Sequence, residues 1–303
     1  LCHDRNARAG RDLIPSNVLV KPPSAELRPD QRDDQSLPPY EVLDPIIEAY
    51  VEQDRTLGDL IEAGKLPRPR RSIRILLGAE MYGSIPYVVK NLDRMRAKTI
   101  AAVCCDTPTE SYDLASTTLG ICTNPNVCPA YTDAVFPEVI RRYFARYSPQ
   151  RMLRIDPFQM GTDTYFCEPM IGAPTNYIGY DNGSHLHHNS MDTIENVDPR
   201  TLRELAFLNA AYLYFLANAG YDDVSWIAGL TFTRGLSVIT EKSKAALDGL
   251  AGKKDGASLG KYTTDTGEIL TYYIGQQKLA LESILRIVPD ADKPKAREAL
   301  AAW

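Results

Sequence analysis

The chain has 303 residues, of which 44% are hydrophobic and 24% are charged, and its net charge is -5. This length suits one large α/β domain, or one domain with a smaller unit beside it. The acidic balance lacks the basic footprint of a nucleic-acid-binding protein, and the apolar runs are too short to span a bilayer. We therefore expect a cytoplasmic protein that has neither nucleic acid nor membrane as a partner.

Six cysteines in a chain of this length are too few for a disulfide scaffold, and they lack the paired C-x-x-C spacing of a zinc finger. Cys104 and Cys105 lie in an apolar run, which predicts buried thiols. Cys122 and Cys128 flank a loop rich in Pro and Asn. They either remain thiols or pair with each other under oxidising conditions.

The composition of the chain changes near residue 66. Residues 1–40 are rich in Arg, Asp and Pro and predict loop, whereas residues 39–64 show helical spacing of apolar side chains. Residues 65–71 (KLPRPRR) form a basic linker broken by prolines. We therefore predict a small helical amino-terminal appendage at 1–66 and an α/β domain at 67–303.

From residue 72 onward, apolar runs typical of strands alternate with helical patterns. The run Ile73 to Gly78 predicts a strand covered on both faces, and a helix with apolar residues from Ile85 to Met95 follows it. The remaining predicted elements are a strand at Thr99 to Cys105, a helix at Asp133 to Tyr147, a short strand at Thr175 to Ile178, a helix from the cap Asp198 to Gly220, a loop at Gly252 to Gly260, and a helix from about Ile269 to Val288. This alternation predicts a mostly parallel sheet with helices on both faces.

Acidic and histidine residues follow three of the predicted strands. Glu80 and Asp106 come after the first two strands, and His187 and His188 come shortly after the third. Ligands of open α/β sheets bind beyond the carboxyl ends of the strands, and carboxylate oxygen with imidazole nitrogen is a zinc-binding combination. The alternatives are a turn or cap role for each acid and a surface position for the histidines.

Four segments between residues 72 and 220 resemble the motifs of co-catalytic zinc aminopeptidases, and the resemblance extends toward the carboxyl terminus. They are Gly78-Ala79-Glu80 with Gly83-Ser84; Asp106 after its strand; Gly161 to Phe166 with Ile171 to Pro174; and His188 to Thr193 with Asn196-Val197-Asp198. This resemblance implies an α/β fold of the zinc aminopeptidase type.

The same resemblance implies roles for individual residues. Glu80 is expected to act as general base and His187 to polarise the oxyanion; Asp106 and His188 are expected to bind zinc, as one ion or two; Asp163 is expected near the substrate, and Asp192 behind His188. The implied substrate is a peptide or a small amide. The ligand set is incomplete, since Met81 stands where the family has a second Glu, and the upstream His and Asp motifs are missing.

The amino-terminal segment resembles a different family. Residues Asn6 to Pro15, Lys21 to Gln31 and Leu37 to Asp44 are similar to the carboxyl-terminal part of glutamine-dependent NAD synthetase. This resemblance implies that Lys21 and Ser24 face phosphate, a pairing that suits phosphate chemistry. The Ser-Gly-Gly-type loop and the glutaminase of that family are missing from the sequence.

The sequence therefore predicts a metal-dependent hydrolase of the aminopeptidase type. Two alternatives stay open. One is a fragment of an NAD synthetase-related amide ligase, and the other is a non-catalytic binding domain on the aminopeptidase scaffold. The sequence gives no prediction of the oligomeric state.

Overall fold

The computed structural model of the chain describes residues 68–78, 80–107, 118–181, 190–191, 193–250 and 256–303, with residues 6, 7, 9–11, 15, 62 and 64 before them. The chain divides into two units, Leu1–Arg68 and Pro69–Trp303. The division falls within the proline-broken linker at residues 65–71. The elements described below all belong to the second unit.

The second unit alternates helices and strands through its first half and is helical in its second half. The helices are α1 (Glu80–Lys98), α2 (Thr132–Tyr147), α3 (Pro199–Asn218), α4 (Val224–Leu250), α5 (Gly256–Glu282) and α6 (Lys293–Leu300). The strands are β1 (Ala102–Cys105), β2 (Thr118–Cys122), β3 (Leu153–Asp156) and β4 (Thr175–Asp181). Short 3-10 helices lie at Asp163–Cys167, Ile194–Asn196, Tyr221–Asp223, Ser283–Ile287 and Asp290–Asp292.

The four strands form one sheet in the order β1-β4-β2-β3. β1 pairs with β4 in parallel and β2 pairs with β3 in parallel, whereas β2 and β4 are antiparallel. The carboxyl ends of β1 and β4 therefore lie at one edge of the sheet, and those of β2 and β3 lie at the opposite edge. The predicted α/β class with a mostly parallel sheet is confirmed.

Two apolar clusters cover the sheet. The larger cluster combines side chains of β2 and β4 with those of α2, α3 and α4, and its ring pair Phe136 and Tyr212 stacks with centroids 4.2 Å apart. The smaller cluster joins α1 to Phe166 and Ile171. Successive strand residues point to opposite faces, and the β1 neighbours Val103 and Ala102 pack against different clusters.

The buried carboxylate of Asp133, with 2% of its surface exposed, holds the edge where β2 ends. Its Oδ1 accepts hydrogen bonds from the Asn124 backbone N at 2.8 Å, the Asn124 Nδ2 at 2.8 Å and the Asn176 Nδ2 at 3.0 Å. Its Oδ2 accepts from the Ala130 N at 3.2 Å. The Asn124 Oδ1 in turn accepts from the Thr175 N at 2.8 Å. This network ties β2, the start of α2 and β4 together.

A second anchor is Arg71, whose half-buried guanidinium joins two helix ends. It donates to the Leu216 O at 3.3 Å and the Ala219 O at 2.6 Å near the end of α3, and to the Ile287 O at 2.5 Å. The last carbonyls of a helix lack partners within the helix, so one side chain satisfies several of them. Burial lowers the pKa of Arg71.

Several predicted elements are confirmed with small shifts of their ends. The helix after residue 80, the strand ending at Cys105, the helix beginning near Asp133 and the strand from Thr175 are all present. Asp198 caps α3 as predicted, because its side chain accepts a hydrogen bond from the Arg200 N at 2.9 Å.

The predicted strand at Ile73 to Gly78 is wrong. Residues 72–77 have no regular secondary structure, and Ile75 and Leu77 are 79% and 94% exposed. An apolar run shows that a segment could form a buried strand. A strand also needs a neighbouring strand to pair with, and the sheet of β1, β4, β2 and β3 does not include this run. Among the described residues, the sequence also missed β2, β3 and α4, and it began α5 too late.

Two further structural findings concern the helices. The predicted loop at Gly252 to Gly260 lies partly outside the described residues, since 251–255 are not among them, and α5 already begins at Gly256. Within the described part of the chain, no helix is long and apolar enough to cross a membrane.

Replacement of Asp133 by Ala is expected to lower the free energy of unfolding by about 3 kcal/mol, because it leaves several buried N–H donors without an acceptor. Chemical denaturation monitored by circular dichroism measures this change. Asp248→Ala is the control. It removes an exposed i,i+4 pair with Lys244 and is expected to change stability by less than about 0.5 kcal/mol. Equal effects of the two variants would contradict a structural role for Asp133.

Candidate functional site

Asp106 lies directly beyond the carboxyl end of β1, as the sequence predicted. Its Oδ1 accepts a hydrogen bond from the Thr107 N at 2.9 Å, and its Oδ2 accepts one from the Thr162 Oγ1 at 3.3 Å. The carboxylate is therefore held by one backbone donor and one hydroxyl.

The backbone that carries Asp106 passes very close to β4. A Cβ atom at Gly179 would come within 2.8 Å of the Thr107 Oγ1 and would also meet the Asp106 carbonyl oxygen, so only glycine fits at this point of the strand. Thr107 has a φ of 44°, which is uncommon for a β-branched residue. Hydrogen bonds to Tyr177 and Tyr180 hold it there: the Thr107 Oγ1 lies 2.9 Å from the Tyr177 OH, and the Tyr180 N donates to the Thr107 O at 3.2 Å.

Asp163 begins the 3-10 helix Asp163–Cys167 and binds a serine of α1. The Ser84 Oγ donates to the Asp163 Oδ1 at 2.5 Å and lies 2.8 Å from the Tyr165 OH. Ser84 is buried. A short bond from a buried hydroxyl to a carboxylate is a charge-assisted interaction, and it fixes α1 against the segment that follows β3.

The two aspartates are linked through Thr162 and Cys104. The Thr162 Oγ1 lies 3.4 Å from the Cys104 Sγ and also donates to Asp106. The pKa of the Cys104 thiol is raised to about 12, chiefly by burial. The charges of Asp106 and Asp163 contribute to the rise, and the hydrogen bond with Thr162 opposes it. Both carboxylates therefore act on the same sulfur, and we name Ser84, Cys104, Asp106, Thr162, Asp163 and Tyr165 the β1-edge cluster.

Glu80 begins α1 with an exposed side chain and a φ of 45°. It stands one helical turn before Ser84, and residues four apart share a helix face, so Glu80 belongs to the same side of α1 as the cluster. Within the described residues, Glu80, Asp106 and Asp163 have no ion-pair partner, and no group of three or more His, Cys, Asp or Glu side chains is placed to hold a metal ion.

The other predicted site residues lie outside the described residues. They are His187, His188, Asp192, Lys21 and Ser24. The zinc ligand His188, its neighbours and the peptide or small amide partner therefore stay predictions.

Sequence reasoning missed the hydroxyl groups that organise the β1-edge cluster. Ser84 lies one helical turn after Glu80, and Thr162 directly precedes Asp163. No sequence spacing shows, however, that a serine or threonine hydroxyl will bind a particular carboxylate. Tyr165 belongs to the resembling segment Gly161 to Phe166, but the sequence assigned no role to it. Only the fold shows that these groups satisfy the carboxylates.

The amino-terminal segment is similar to known NAD synthetases. Residues 1–75 of the 303 match the family model described as NAD synthase. The glutamine-dependent NAD(+) synthetase of Acinetobacter baylyi is 50% identical over 60 residues, which cover 20% of this chain and 11% of the relative. The enzyme of the same name from Thermotoga maritima is 56% identical over 48 residues, which cover 16% of this chain and 8% of the relative.

The chain thus spans about a tenth of the length of these curated relatives. A third example, from Aquifex aeolicus, is 53% identical over 55 residues, or 18% of this chain and 10% of the relative. No solved structure matches the chain significantly. The predicted resemblance of the amino-terminal segment to NAD synthetase is therefore confirmed.

The prediction of a hydrolase of the aminopeptidase and metallopeptidase type is wrong. The curated relatives are all named NAD synthetases, with no aminopeptidase among the eight. The physical reason is that the roles of Asp106 at zinc and of Asp163 near the substrate were inferred from short resembling segments, and for Asp106 also from its place after a strand, without knowledge of the contacts of either side chain. In the structure, the carboxylates of Asp106 and Asp163 accept hydrogen bonds from hydroxyl and backbone donors.

Replacement of Ser84 by Ala is expected to lower the free energy of unfolding by about 1–3 kcal/mol, because Asp163 loses a buried donor. Urea denaturation measures the change. Ser237→Ala is the matched control, since Ser237 is an exposed helical serine whose Oγ donates only to the Thr233 O at 3.1 Å in α4. Both variants gain the same helix propensity, so equal stabilities would contradict the Ser84–Asp163 link.

The raised pKa of Cys104 predicts a stability change at alkaline pH. The ordinary pKa of the thiol is 9.0 and that in the fold is about 12, so the folded state keeps its proton while the unfolded chain loses it. Stability is unaffected below about pH 9 and falls as the pH rises toward about 12.

The variant Cys104→Ala isolates this contribution from that of the other alkaline groups. Its unfolding free energy is expected to fall less steeply with pH above 9, by at most about 1.4 kcal/mol per pH unit for one proton. Denaturation curves collected at several alkaline pH values for both proteins measure the difference. Identical slopes would show that Cys104 ionises in the fold as readily as in the unfolded chain.

Proposed function

We propose that this chain has an NAD synthetase-related function, in which residues 1–75 supply one part of an amide-ligase site. The observation that carries this proposal is the identity of 50% over 60 residues with a glutamine-dependent NAD(+) synthetase. Similar identities with relatives from distant organisms support it. The relatives are named for making NAD(+) in a glutamine-dependent reaction.

Lys21 and Ser24 are the residues to which we assign contact with phosphate. They stand in the run Lys21-Pro22-Pro23-Ser24-Ala25-Glu26-Leu27. A lysine ammonium supplies up to three donors to phosphate oxygens and a serine hydroxyl supplies one more. The two prolines between them restrict the backbone, which lowers the entropy lost when the loop closes on a nucleotide.

The segment accounts for only part of such a site. The matched regions cover 11% or less of the first relatives, and the 303 residues contain no Ser-Gly-Gly run. Phosphate binding in nucleotide enzymes relies on backbone N–H groups of glycine-rich loops. We therefore assign to residues 1–75 a contributing role, with the rest of the nucleotide site supplied by a segment outside these matched residues.

Binding of nucleotide tests the proposal. The whole chain is titrated with ATP and with the deamidated dinucleotide by calorimetry, with ligand-observed NMR for weak binding. We expect dissociation constants on the order of 1 mM, near -4 kcal/mol, because a single loop provides few contacts. Lys21→Ala is expected to weaken binding about tenfold, since one charge-assisted hydrogen bond is lost.

Lys65→Ala is the matched control, because it removes an equal charge from the linker. Its binding is expected to stay within about twofold of the unaltered chain, because Lys65 is outside the run Lys21 to Leu27 to which we assign the phosphate contact. Equal losses in the two variants, or no binding by the unaltered chain at millimolar ligand, would contradict the assignment of Lys21. Micromolar binding lost in Lys21→Ala would indicate a complete nucleotide site.

A further inference from the structure

Two cysteines that are 39 positions apart meet beside the start of α2. Cys128 lies in the segment between β2 and α2, and Cys167 ends the 3-10 helix Asp163–Cys167. The Cys128 Sγ donates a hydrogen bond to the Cys167 O at 2.9 Å, and the Cys167 Sγ donates to the Thr164 O at 3.0 Å. Both residues are free thiols.

The two thiols differ in their access to solvent. Cys128 is half-buried, whereas Cys167 is 2% exposed. A small reagent in solution therefore reaches the first sulfur and not the second. A site with one accessible and one buried thiol in reach of each other has the arrangement of an attacking and a resolving cysteine.

The electrostatic surroundings strengthen this difference. The interaction with the neighbouring Cys167 side chain lowers the pKa of Cys128, against the opposing effects of burial and of the Glu168 and Asp133 carboxylates. The same interaction, together with burial, raises the pKa of Cys167. Because the thiolate is the nucleophile, Cys128 is the more reactive thiol of the pair at neutral pH.

We propose that Cys128 and Cys167 form a reversible redox-modification site, in which Cys128 reacts with a small disulfide and Cys167 completes an internal disulfide. The co-reactant is a low-molecular-weight disulfide of the glutathione class. Among the described residues, this pair is distinct from the β1-edge cluster.

The chemistry balances in two exchange steps. The Cys128 thiolate attacks one sulfur of oxidised glutathione, an S–S bond forms, and one glutathione thiolate leaves and takes up a proton. Cys167 then gives its proton to solvent and attacks the Cys128 sulfur of the mixed disulfide, which releases the second glutathione as a thiolate. Two protein thiols are oxidised and one glutathione disulfide is reduced to two thiols.

Oxidation changes the local hydrogen bonds. The two S–H donors to the Cys167 O and the Thr164 O disappear when the sulfurs join. A covalent link replaces them and ties the segment before α2 to the 3-10 helix that carries Asp163. Because Cys128 is half-buried and its sulfur is open to a small reagent, we expect dithiothreitol to reduce the disulfide again.

The other described cysteines are poorer reactants and serve as internal references. Burial raises the pKa of Cys104 to about 12 and that of Cys105 to about 11. Cys122 is 3% exposed. Cys105 is the most accessible of the three, so it is the stringent control for reactivity that follows exposure alone.

Peptide mapping by mass spectrometry tests the proposal on the whole chain. The reduced protein is treated with oxidised glutathione at pH 7, quenched with iodoacetamide and digested without reduction. We expect a cross-linked species of the Cys128 and Cys167 peptides, lighter than the two reduced peptides by two hydrogen atoms. Fragment ions separate Cys128 from Cys104, Cys105 and Cys122, which share its tryptic peptide (residues 99–141).

Three variants assign the roles. Cys128→Ser is expected to abolish the cross-link and to leave Cys167 unmodified, whereas Cys167→Ser is expected to retain glutathione on Cys128 as a stable mixed disulfide. Cys105→Ser is the control and is expected to form the cross-link like the unaltered chain. Circular dichroism of each variant confirms folding, and Cys167→Ala replaces Cys167→Ser if a buried hydroxyl disturbs it.

The unaltered chain alone is sufficient to overturn the proposal. A Cys128 thiol that remains fully alkylated after native oxidation would do so, as would a Cys128–Cys122 disulfide in place of the predicted pair. Glutathione attached first to Cys105, with Cys128 untouched, would likewise show that exposure decides reactivity and that the pair has no redox role.

Discussion

The hydrogen bonds of the buried Asp133 carboxylate set the arrangement of the sheet. β4 pairs in parallel on one side and antiparallel on the other, so the chain beyond β2 must turn back across the start of β4. The polar groups exposed by that turn cannot stay unpaired in the interior. Asp133, in the first turn of α2, and Asn124, just beyond β2, satisfy several of them at once. The sheet, the turn and the helix are therefore stable only together.

The reversal of strand direction also separates two chemically different edges. At the edge where β2 ends, Asp133 is enclosed by amide and backbone donors and has a structural role. At the edge where β1 ends, Asp106 and Asp163 meet hydroxyls and a thiol, and the backbone at Thr107 adopts an uncommon conformation. Such conformations persist only where the surroundings determine them strongly. Cys128 lies in the chain between Asn124 and Asp133, and Cys167 lies four residues after Asp163. The hydrogen bond from the Cys128 Sγ to the Cys167 O therefore links the Asp133 network to the segment that carries Asp163.

Local sequence patterns predicted individual helices and strands better than they predicted which strands pair with each other. α3 followed from a cap, a proline at its first position and an apolar stripe, all within a few residues, and the structure confirms it. The run Ile73 to Gly78 had the composition of a strand, but a strand needs a neighbour, and pairing is a property of the whole sheet. The same limit applies to the site. The position of Asp106 after its strand was predictable. The roles of Ser84 and Thr162 were not, because each is distant in sequence from the carboxylate that it binds.

The sequence suggested two resemblances, one to zinc aminopeptidases and one to NAD synthetase, and they rested on different kinds of sequence pattern. An acid after an apolar strand is expected in any α/β sheet, because the chain leaves the core there and the next residue is polar. Asp106 therefore reflects sheet geometry, and its contacts decide what it does. Glu80 follows a run that forms no strand, so this argument does not apply to it. The run Lys21 to Leu27 is different, since no element of secondary structure demands two adjacent prolines between a lysine and a serine. A contiguous run of that kind is therefore more specific than an acid after a strand. The similarity to NAD synthetases is found in the segment that contains it, whereas the chemistry of the second unit has to be argued from side-chain contacts.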